Sequence, residues 1–263
     1  MSPDPNPLRR LMALPNESRA KTLIVAFLVS VVCAGLVSGA TVLLRPIQAA
    51  NRAAEEQARI TALIRGVPGM ADLLEAEGGV LSTVVGDLTT GQAARDVVPE
   101  TLAAALADPA SYSAIDPAQD IAGLVQRPDV AQVYLLRQGE EISLLLLPIA
   151  GAGYNGRIEA LLALRGDLNT VAGVAVTRHA ETPGLGARIT EPAWQASWPG
   201  TLLRDEGGAL RFAVARGPAS TAYEVDGITG ATRTSNAVTR MVRFWMGPAG
   251  YGPFLNAVRK GEF

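Results

Sequence analysis

The distribution of apolar residues divides the chain into three parts. Residues 22–44 form an apolar run without a charged side chain, long enough as a helix to cross the roughly 30 Å of a bilayer core. Residues 45–128 have mixed patterns, with helix formers at 48–64 and short helix-like pieces such as 101–107. From residue 129 onward, β-rich runs alternate with short turns, and this pattern predicts an antiparallel meander.

The C-terminal part contains the elements that define the fold class. The predicted strands cover residues 131–137, 141–149, 157–165, 170–177 and 209–215. A short helix is predicted near 191–196, and a clearer one at 235–246, where apolar residues recur at three- and four-residue steps. Strands mixed with a few helices predict an α+β fold with an antiparallel sheet.

The apolar run is predicted to be a single transmembrane helix at residues 22–44. A cleaved signal peptide is the alternative, but its apolar region usually has about 7 to 15 residues. Arg9, Arg10 and Lys21 precede the run, and positive charge on a short N-terminal tail favours a cytoplasmic N-terminus. We therefore expect a cytoplasmic tail at 1–21, a helix in contact with membrane lipid, and an extracytoplasmic remainder.

Composition excludes several kinds of chemistry. The 263 residues carry a net charge of −2, so no general affinity for nucleic acid is implied. One cysteine, Cys33, and one histidine, His179, cannot form an internal disulfide or a cysteine- or histidine-based metal cluster within this chain. We interpret His179 as a loop or strand-end residue, and we predict no metal site and no catalytic side chain. The chemistry is therefore expected to need a cofactor.

Residues 226–238, DGITGATRTSNAV, concentrate hydroxyl side chains just before the predicted helix. The N-terminus of a helix presents unpaired N–H groups and the positive end of the helix dipole, and so favours anions such as phosphate. Arg233 would add a positive charge, and Gly230 and Ala231 would let the backbone approach a ligand closely. The alternative is an ordinary helix cap, which needs one hydroxyl group and no ligand.

A second segment, ETPGLG at residues 181–186, follows a predicted strand. Pro183 and the two glycines predict a tight turn with exposed backbone, which suits a flat ring lying against the main chain. Alone, the segment is better explained as an ordinary turn. It also lacks the strand–GxGxxG–helix context of a dinucleotide-binding fold.

Together, these segments resemble the C subunit of the sodium-translocating NADH:quinone oxidoreductase. The resemblance covers most of the chain and includes LPNESRAKTLIVAFLVSVVCAGLVS, ETPGLG, GITGATRTSNAV and FWMGPAGYGPFLNAVRKGEF. The family's flavin motif, approximately Ser, Asp or Thr followed by GAT, any residue and a hydroxyl residue, reads TGATRT here. It implies that Thr234 carries FMN through a phosphoester bond. The other cofactor-binding residues implied by the resemblance are Thr182, Leu185, Gly186, Gly230, Ala231, Thr232, Arg233 and Ser235.

The resemblance also implies an organisation and a function. Residues 45–128 would connect the membrane helix to an FMN-binding domain at 129–263. The protein would relay electrons through FMN within a bacterial inner-membrane complex that exports sodium, with its C-terminal domain periplasmic. Its partners would be other membrane subunits, an NADH-oxidising subunit, and a separate flavin transferase that attaches FMN from FAD. The family often has an aromatic residue after a GxG-leucine turn; here GAGYNG makes Tyr154 the candidate to cover the ring.

Two other interpretations stay open. The G subunit of the ferredoxin-coupled electron-transport complex would carry the same covalent FMN but have other partners. A flavin-free, membrane-anchored structural or assembly subunit would use the hydroxyl cluster only as a cap. Since residues 22–44 contain no charged side chain, sodium is predicted to move elsewhere in the complex.

Overall fold

The computed structural model describes residues 80–263, the helix Lys21–Gly39, and the isolated positions 15, 18, 19, 42, 44, 75 and 78. The chain divides into two compact units, Met1–Ile60 and Thr61–Phe263. The helix predicted over 48–64 lies outside the described residues.

Helix α1, Lys21–Gly39, has the length and composition of a membrane span. Its 19 residues have a mean hydropathy of 2.4, and none of the span is buried within the protein. At 1.5 Å per residue the helix is about 28 Å long. Large apolar side chains such as Leu23, Phe27 and Leu36 are exposed along it. Such a surface is unfavourable in water and favourable in a bilayer.

The second unit is built on one five-stranded antiparallel sheet with the spatial order β1-β4-β5-β6-β7. These strands are β1 Val80–Asp87, β4 Val130–Gln138, β5 Glu141–Ala152, β6 Arg157–Arg165 and β7 Val171–Arg178. Two short pairs are β2 Tyr112–Ala114 with β3 Gln126–Pro128, antiparallel, and β8 Ala213–Val214 with β9 Glu224–Val225, parallel. The helices are α2 Pro99–Ala107, α3 Pro192–Gln195, α4 Thr232–Met246 and α5 Gly252–Arg259.

The predicted α+β fold with an antiparallel sheet is confirmed, but its fifth strand was placed wrongly. Residues 209–215 contain only the two-residue β8. Phe212 and Val214 are buried there, so the apolar alternation reflects a loop packed on the core rather than a sheet ladder. The fifth strand is β1, in the part predicted to be a loop-rich connection. β1 is an edge strand of mostly half-buried residues, which explains its weak pattern.

Helix α4 packs across β5. The indole Nε1 of Trp245 donates to the carbonyl of Ala150 at 2.6 Å. Gly151 lies so close to Met241 that a Cβ on it would be 3.0 Å from the Met241 Cβ. The helix begins at Thr232 rather than at 235, because the small and hydroxyl residues before the apolar face continue its first turn. The apolar face of α4 and the sheet thus fix where the N-terminus of α4 lies.

Helix α5 packs against the first strand of the sheet. A Cβ on Gly86 in β1 would lie 2.8 Å from Cδ2 of Phe254. Phe254 is fully buried, and its ring centre lies 4.6 Å from that of Phe263. The hydroxyl of Tyr251 donates to the carbonyl of Pro148 at 2.7 Å, and burial raises the pKa of Tyr251. The end of the chain therefore covers β1.

The turn between β6 and β7 is held by one carboxylate. Leu168 has a φ of 55°, which is uncommon for a residue other than glycine. Oδ1 of Asp167 accepts from the backbone N–H groups of Asn169 and Thr170 at 2.9 and 2.8 Å, and Oδ2 accepts from the Thr170 hydroxyl. Partial burial opposes ionisation, but the hydrogen bonds from Thr170 and Asn169 outweigh it and lower the pKa of Asp167.

We expect Asp167→Ala to lower the free energy of unfolding by about 1–2 kcal/mol, because these hydrogen bonds lie in a partly exposed turn. A carboxyl whose pKa is lowered by folding stabilises the protein only above its unfolded pKa. The difference from wild type should therefore shrink as the pH falls below 3.8, the ordinary value. Urea denaturation of the detergent-solubilised chain measures both effects, with Glu206→Ala as the exposed control. A difference that persists unchanged at lower pH would contradict this account.

Candidate functional site

Three segments meet at one end of the sheet. β5 and β7 each pair antiparallel with β6, so their C-terminal ends lie at the same end of the sheet. The turn 153–156 follows β5, and the segment 179–186 follows β7. The N-terminus of α4 joins them through the side chain of Thr234.

The carboxylate of Glu181 contacts all three segments. Glu181 is only 4% exposed. Its Oε1 accepts from the backbone N–H groups of Tyr154 and Asn155 at 2.8 and 3.1 Å. Its Oε2 accepts from the hydroxyl of Thr234, which is 2% exposed. One buried carboxylate therefore binds both a turn of the sheet and the first turn of α4.

Two glycines leave space for this carboxylate. A Cβ on Gly186 would lie 2.5 Å from Oγ1 of Thr234 and 2.7 Å from Oε2 of Glu181. A Cβ on Gly153 would overlap Oε1 of the same carboxylate. Neither glycine has a positive φ, so the close approach, and not an unusual backbone conformation, is what requires glycine here.

The hydroxyl groups near the start of α4 do not cap it. The N-cap residue is Ala231, and it offers no side-chain hydrogen bond. The Thr234 hydroxyl donates to Glu181. The Ser235 hydroxyl accepts from the backbone N–H of Ile228 at 3.4 Å. Ser235 therefore supports the loop before the helix and Thr234 binds Glu181, and both uses differ from the cap that the sequence left as an alternative.

The first backbone N–H groups of α4 remain available to a ligand. Within the described part of the chain, no acceptor contacts the N–H groups of Thr232, Arg233 and Thr234. Such groups, together with the positive end of the helix dipole, bind anions. Thr232 and Arg233 are exposed, so an anion can reach this end of the helix.

Exposed apolar side chains border the helix N-terminus. Tyr154 is 55% exposed, and Cζ of Arg233 lies 5.1 Å from its ring centre, a cation–π distance. Leu185 is 45% exposed, and its Cδ2 would be 3.0 Å from a Cβ on Gly230, which has a φ of 78°. These contacts place an aromatic face and an aliphatic face beside the N-terminus of α4.

The ETPGLG segment forms the tight turn predicted for it. The N–H of Leu185 donates to the carbonyl of Thr182 at 3.2 Å, and that of Ala187 donates to the same carbonyl at 3.0 Å. Gly184 has a φ of 72°, where glycine is favoured. The turn therefore presents Leu185 to solvent and directs Gly186 inward.

The predicted cofactor-binding residues lie on two segments, 182–186 after β7 and 230–235 at the start of α4, which are joined by the hydrogen bond between Glu181 and Thr234. Gly186, Ala231, Thr234 and Ser235 are buried, Thr182 is half-buried, and Leu185, Gly230, Thr232 and Arg233 are exposed. Sequence reasoning missed Glu181 and Gly153 as site residues. Glu181 is visible within ETPGLG, but its burial depends on Gly153 and on Thr234, which are distant in sequence, so no local pattern could indicate it.

The FMN-binding domain family matches residues 153–247. The matched interval begins at the turn after β5 and ends just past α4. It therefore contains each of the three segments that meet at Glu181.

Curated relatives match almost the whole chain. The C subunit of the Na(+)-translocating NADH-quinone reductase of Pseudomonas aeruginosa is 38% identical over 256 residues, which cover 94% of this chain and 98% of the relative. The chain belongs to this family of C subunits. The corresponding protein of Yersinia pestis is also 38% identical, over 254 residues that cover 94% of this chain and 95% of the relative. The family predicted from the sequence is confirmed.

Solved structures of family members have the same fold as the described domain. The crystal structure of NqrC from Shewanella oneidensis matches with a TM-score of 0.67 and 26% identity, and covers 79% of this chain and 99% of that chain. The structure of the corresponding reductase protein from Parabacteroides distasonis matches with a TM-score of 0.53 at 20% identity, and covers 78% of this chain and 96% of that chain. The second match bears on the fold alone.

We expect Gly186→Ala to destabilise the domain by about 1–3 kcal/mol, because its Cβ would push apart Glu181 and Thr234 in a packed site. Gly217→Ala is the matched control, since no atom lies within 4 Å of a Cβ at that position; its effect should stay within about 0.5 kcal/mol. Thermal denaturation followed by circular dichroism compares the two variants. Equal melting temperatures would show that the carboxylate tolerates displacement.

Proposed function

We propose that this protein carries FMN at the N-terminus of α4, bound through a phosphoester to Thr234, and relays electrons within a sodium-translocating NADH:quinone oxidoreductase complex. The observation that carries the proposal is the buried Thr234 hydroxyl beside uncapped helix N–H groups, within the interval matched by the FMN-binding domain. When bound, FMN supplies the electron-transfer chemistry.

The first turn of α4 suits a phosphate group. The N–H groups of Thr232, Arg233 and Thr234 have no acceptor within the described residues, and they lie at the positive end of a helix of 15 residues. The guanidinium of Arg233 adds a full charge nearby. Ser235 supports this site indirectly, because its hydroxyl is engaged by the N–H of Ile228 and so holds the loop before the helix.

The rim of the site suits a planar ring system. Leu185 offers an exposed aliphatic surface and Tyr154 an exposed aromatic surface. Gly184 and Gly230 have positive φ angles and no side chain, so a ligand can approach the backbone of both turns closely. Leu185 also contacts the Gly230 turn. Because both turns are fixed to the same sheet end, the ring would be oriented by main chain more than by long, mobile side chains.

Covalent attachment keeps the cofactor on one protein for many turnovers. We infer that a separate flavin transferase makes the bond from FAD. The segment GAGYNG at 151–156 has the GxGxxG spacing, but it joins strands β5 and β6 and does not lead into a helix, so it lacks the context of a dinucleotide-binding segment. In the flavin-free alternative, Thr234 would only stabilise the fold, and mass spectrometry would find no FMN adduct on it.

The orientation that we propose puts the FMN domain in the periplasm of a bacterial inner membrane. It follows from the basic residues that precede α1, including Arg9 and Arg10, and from Lys21 at its start, by the preference of positive charge for the cytoplasmic side. Other membrane subunits and an NADH-oxidising subunit would be the partners. Sodium would pass through those subunits, since Lys21–Gly39 contains no acidic residue.

Peptide mass spectrometry of the chain, purified from a host that contains its flavin transferase, should find FMN less one water on the peptide carrying Thr234. Thr234→Ala should remove the adduct, whereas Thr232→Ala, which deletes an exposed hydroxyl two residues away, should keep it. An adduct on another residue, or none while the transferase modifies a known acceptor, would contradict the assignment of Thr234.

Reporter fusions at the C-terminus test the orientation. Alkaline phosphatase, which needs the periplasm to become active, should be active there, and a fluorescent protein that matures only in the cytoplasm should be dark. Adding Lys residues just after α1 should weaken the preference, because positive charge would then flank both ends of the helix. The reverse reporter pattern would place the FMN domain in the cytoplasm.

A further inference from the structure

Glu181 has no role in the proposed electron relay, yet it is the carboxylate buried against the attachment residue. The two N–H bonds to Oε1 come from the turn 153–156, and Oε2 receives the Thr234 hydroxyl. Within the described residues, no Arg or Lys forms an ion pair with Glu181. Buried carboxylates are normally paired with a cation, since removing their charge from water is unfavourable.

A glutamine would meet the structural needs of this position. Its Oε1 could accept from the N–H groups of Tyr154 and Asn155, and its amide could donate to the oxygen of Thr234. A neutral amide would also avoid the burial of a charge. What glutamine cannot do is accept a proton from the Thr234 hydroxyl. The acceptor geometry, together with the absence of an ion pair to any described Arg or Lys, therefore sets Glu181 apart from a purely structural residue.

The geometry points to Glu181 as the general base that activates Thr234 for attachment of FMN, an inference that rests on the proposed function. An alcohol is a weak nucleophile unless a neighbouring base takes its proton. Oε2 of Glu181 already receives the hydroxyl of Thr234. The acceptor protein thus supplies one catalytic group for its own modification, and the flavin transferase supplies the nucleotide and the rest of the site.

The step balances without an oxidant or a reductant. Oγ1 of Thr234 forms a bond to the phosphorus on the riboflavin side of FAD, and the bond between that phosphorus and the bridging pyrophosphate oxygen breaks. AMP leaves with the bridging oxygen, and the hydroxyl proton passes to Oε2 of Glu181. The free N–H groups at the start of α4 stabilise the negative charge on the phosphoryl oxygens.

The position of Gly186 fits this step. A Cβ there would lie 2.5 Å from Oγ1 of Thr234, so a side chain would occupy the space beside the reacting oxygen. Thr234 itself is 2% exposed, so the space around the reacting oxygen is confined.

The test measures the rate of attachment in the full chain. Apoprotein is purified in detergent from a host without the transferase and is incubated with purified transferase and FAD; intact mass spectrometry follows the FMN adduct. We expect Glu181→Gln to slow attachment about a hundredfold or more. Glu191→Gln is the matched control, because Glu191 is exposed and paired with Arg188 at 3.1 Å; it should keep the wild-type rate. Attachment to Glu181→Gln at the wild-type rate would overturn the inference.

Circular dichroism shows whether Glu181→Gln keeps its fold, so that slower attachment by a folded variant reports the missing base. If circular dichroism shows that Glu181→Gln is unfolded, the attachment rate of Glu181→Asp is measured instead. A rate about tenfold or more below wild type supports the inference, because the shorter side chain moves the base away from Thr234. The wild-type rate would refute the inference.

The two proposals fail in different ways. An unmodified wild-type chain, with the transferase active on a known acceptor, refutes attachment at Thr234 and with it the role of Glu181. Modified wild type together with equally fast Glu181→Gln refutes only the role of Glu181.

Discussion

The site depends on the burial of one carboxylate between two glycines. Glu181 reaches the turn after β5 and the first turn of α4 only because Gly153 and Gly186 have no side chains. The carboxylate accepts hydrogen bonds on both oxygens, so it fixes both neighbours relative to the end of the sheet. The exposed side chains of these segments can then be substituted without moving the backbone that carries them, because the Glu181 carboxylate fixes that backbone.

Sheet topology makes that meeting possible. β5 and β7 flank β6 and run in the same direction, so the loops that leave them emerge side by side. α4 follows much later in the chain and reaches the same place because its apolar face packs on β5, with Trp245 bonded to the carbonyl of Ala150. The packing of α4 thus fixes the direction in which its N-terminus points, and the positive end of the helix dipole points in the same direction.

Sequence reasoning recovered what local pattern encodes. The strands β4 to β7, the apolar face of α4 and the tight turn at Gly184 each follow from residues within the element. The strand β1 was predicted to be a loop, because an edge strand needs little alternation of apolar and polar residues. The loop at Phe212 was predicted to be a strand, because a loop packed on the core can show the same alternation. The chemistry of Glu181 was not visible, since its partners lie 27 and 53 positions away.

The contact between α5 and β1 also constrains how the domain can form. The first strand of the sheet is covered by Phe254, and Phe254 is in turn covered by Phe263, the last residue of the chain. A ribosome synthesises β1 long before it synthesises these rings, so this part of the strand's apolar cover arrives late in translation. β1 therefore reaches its final burial only after α5 has been synthesised and has docked, so loss of the Phe254 ring would be felt in a strand that lies far from it in sequence.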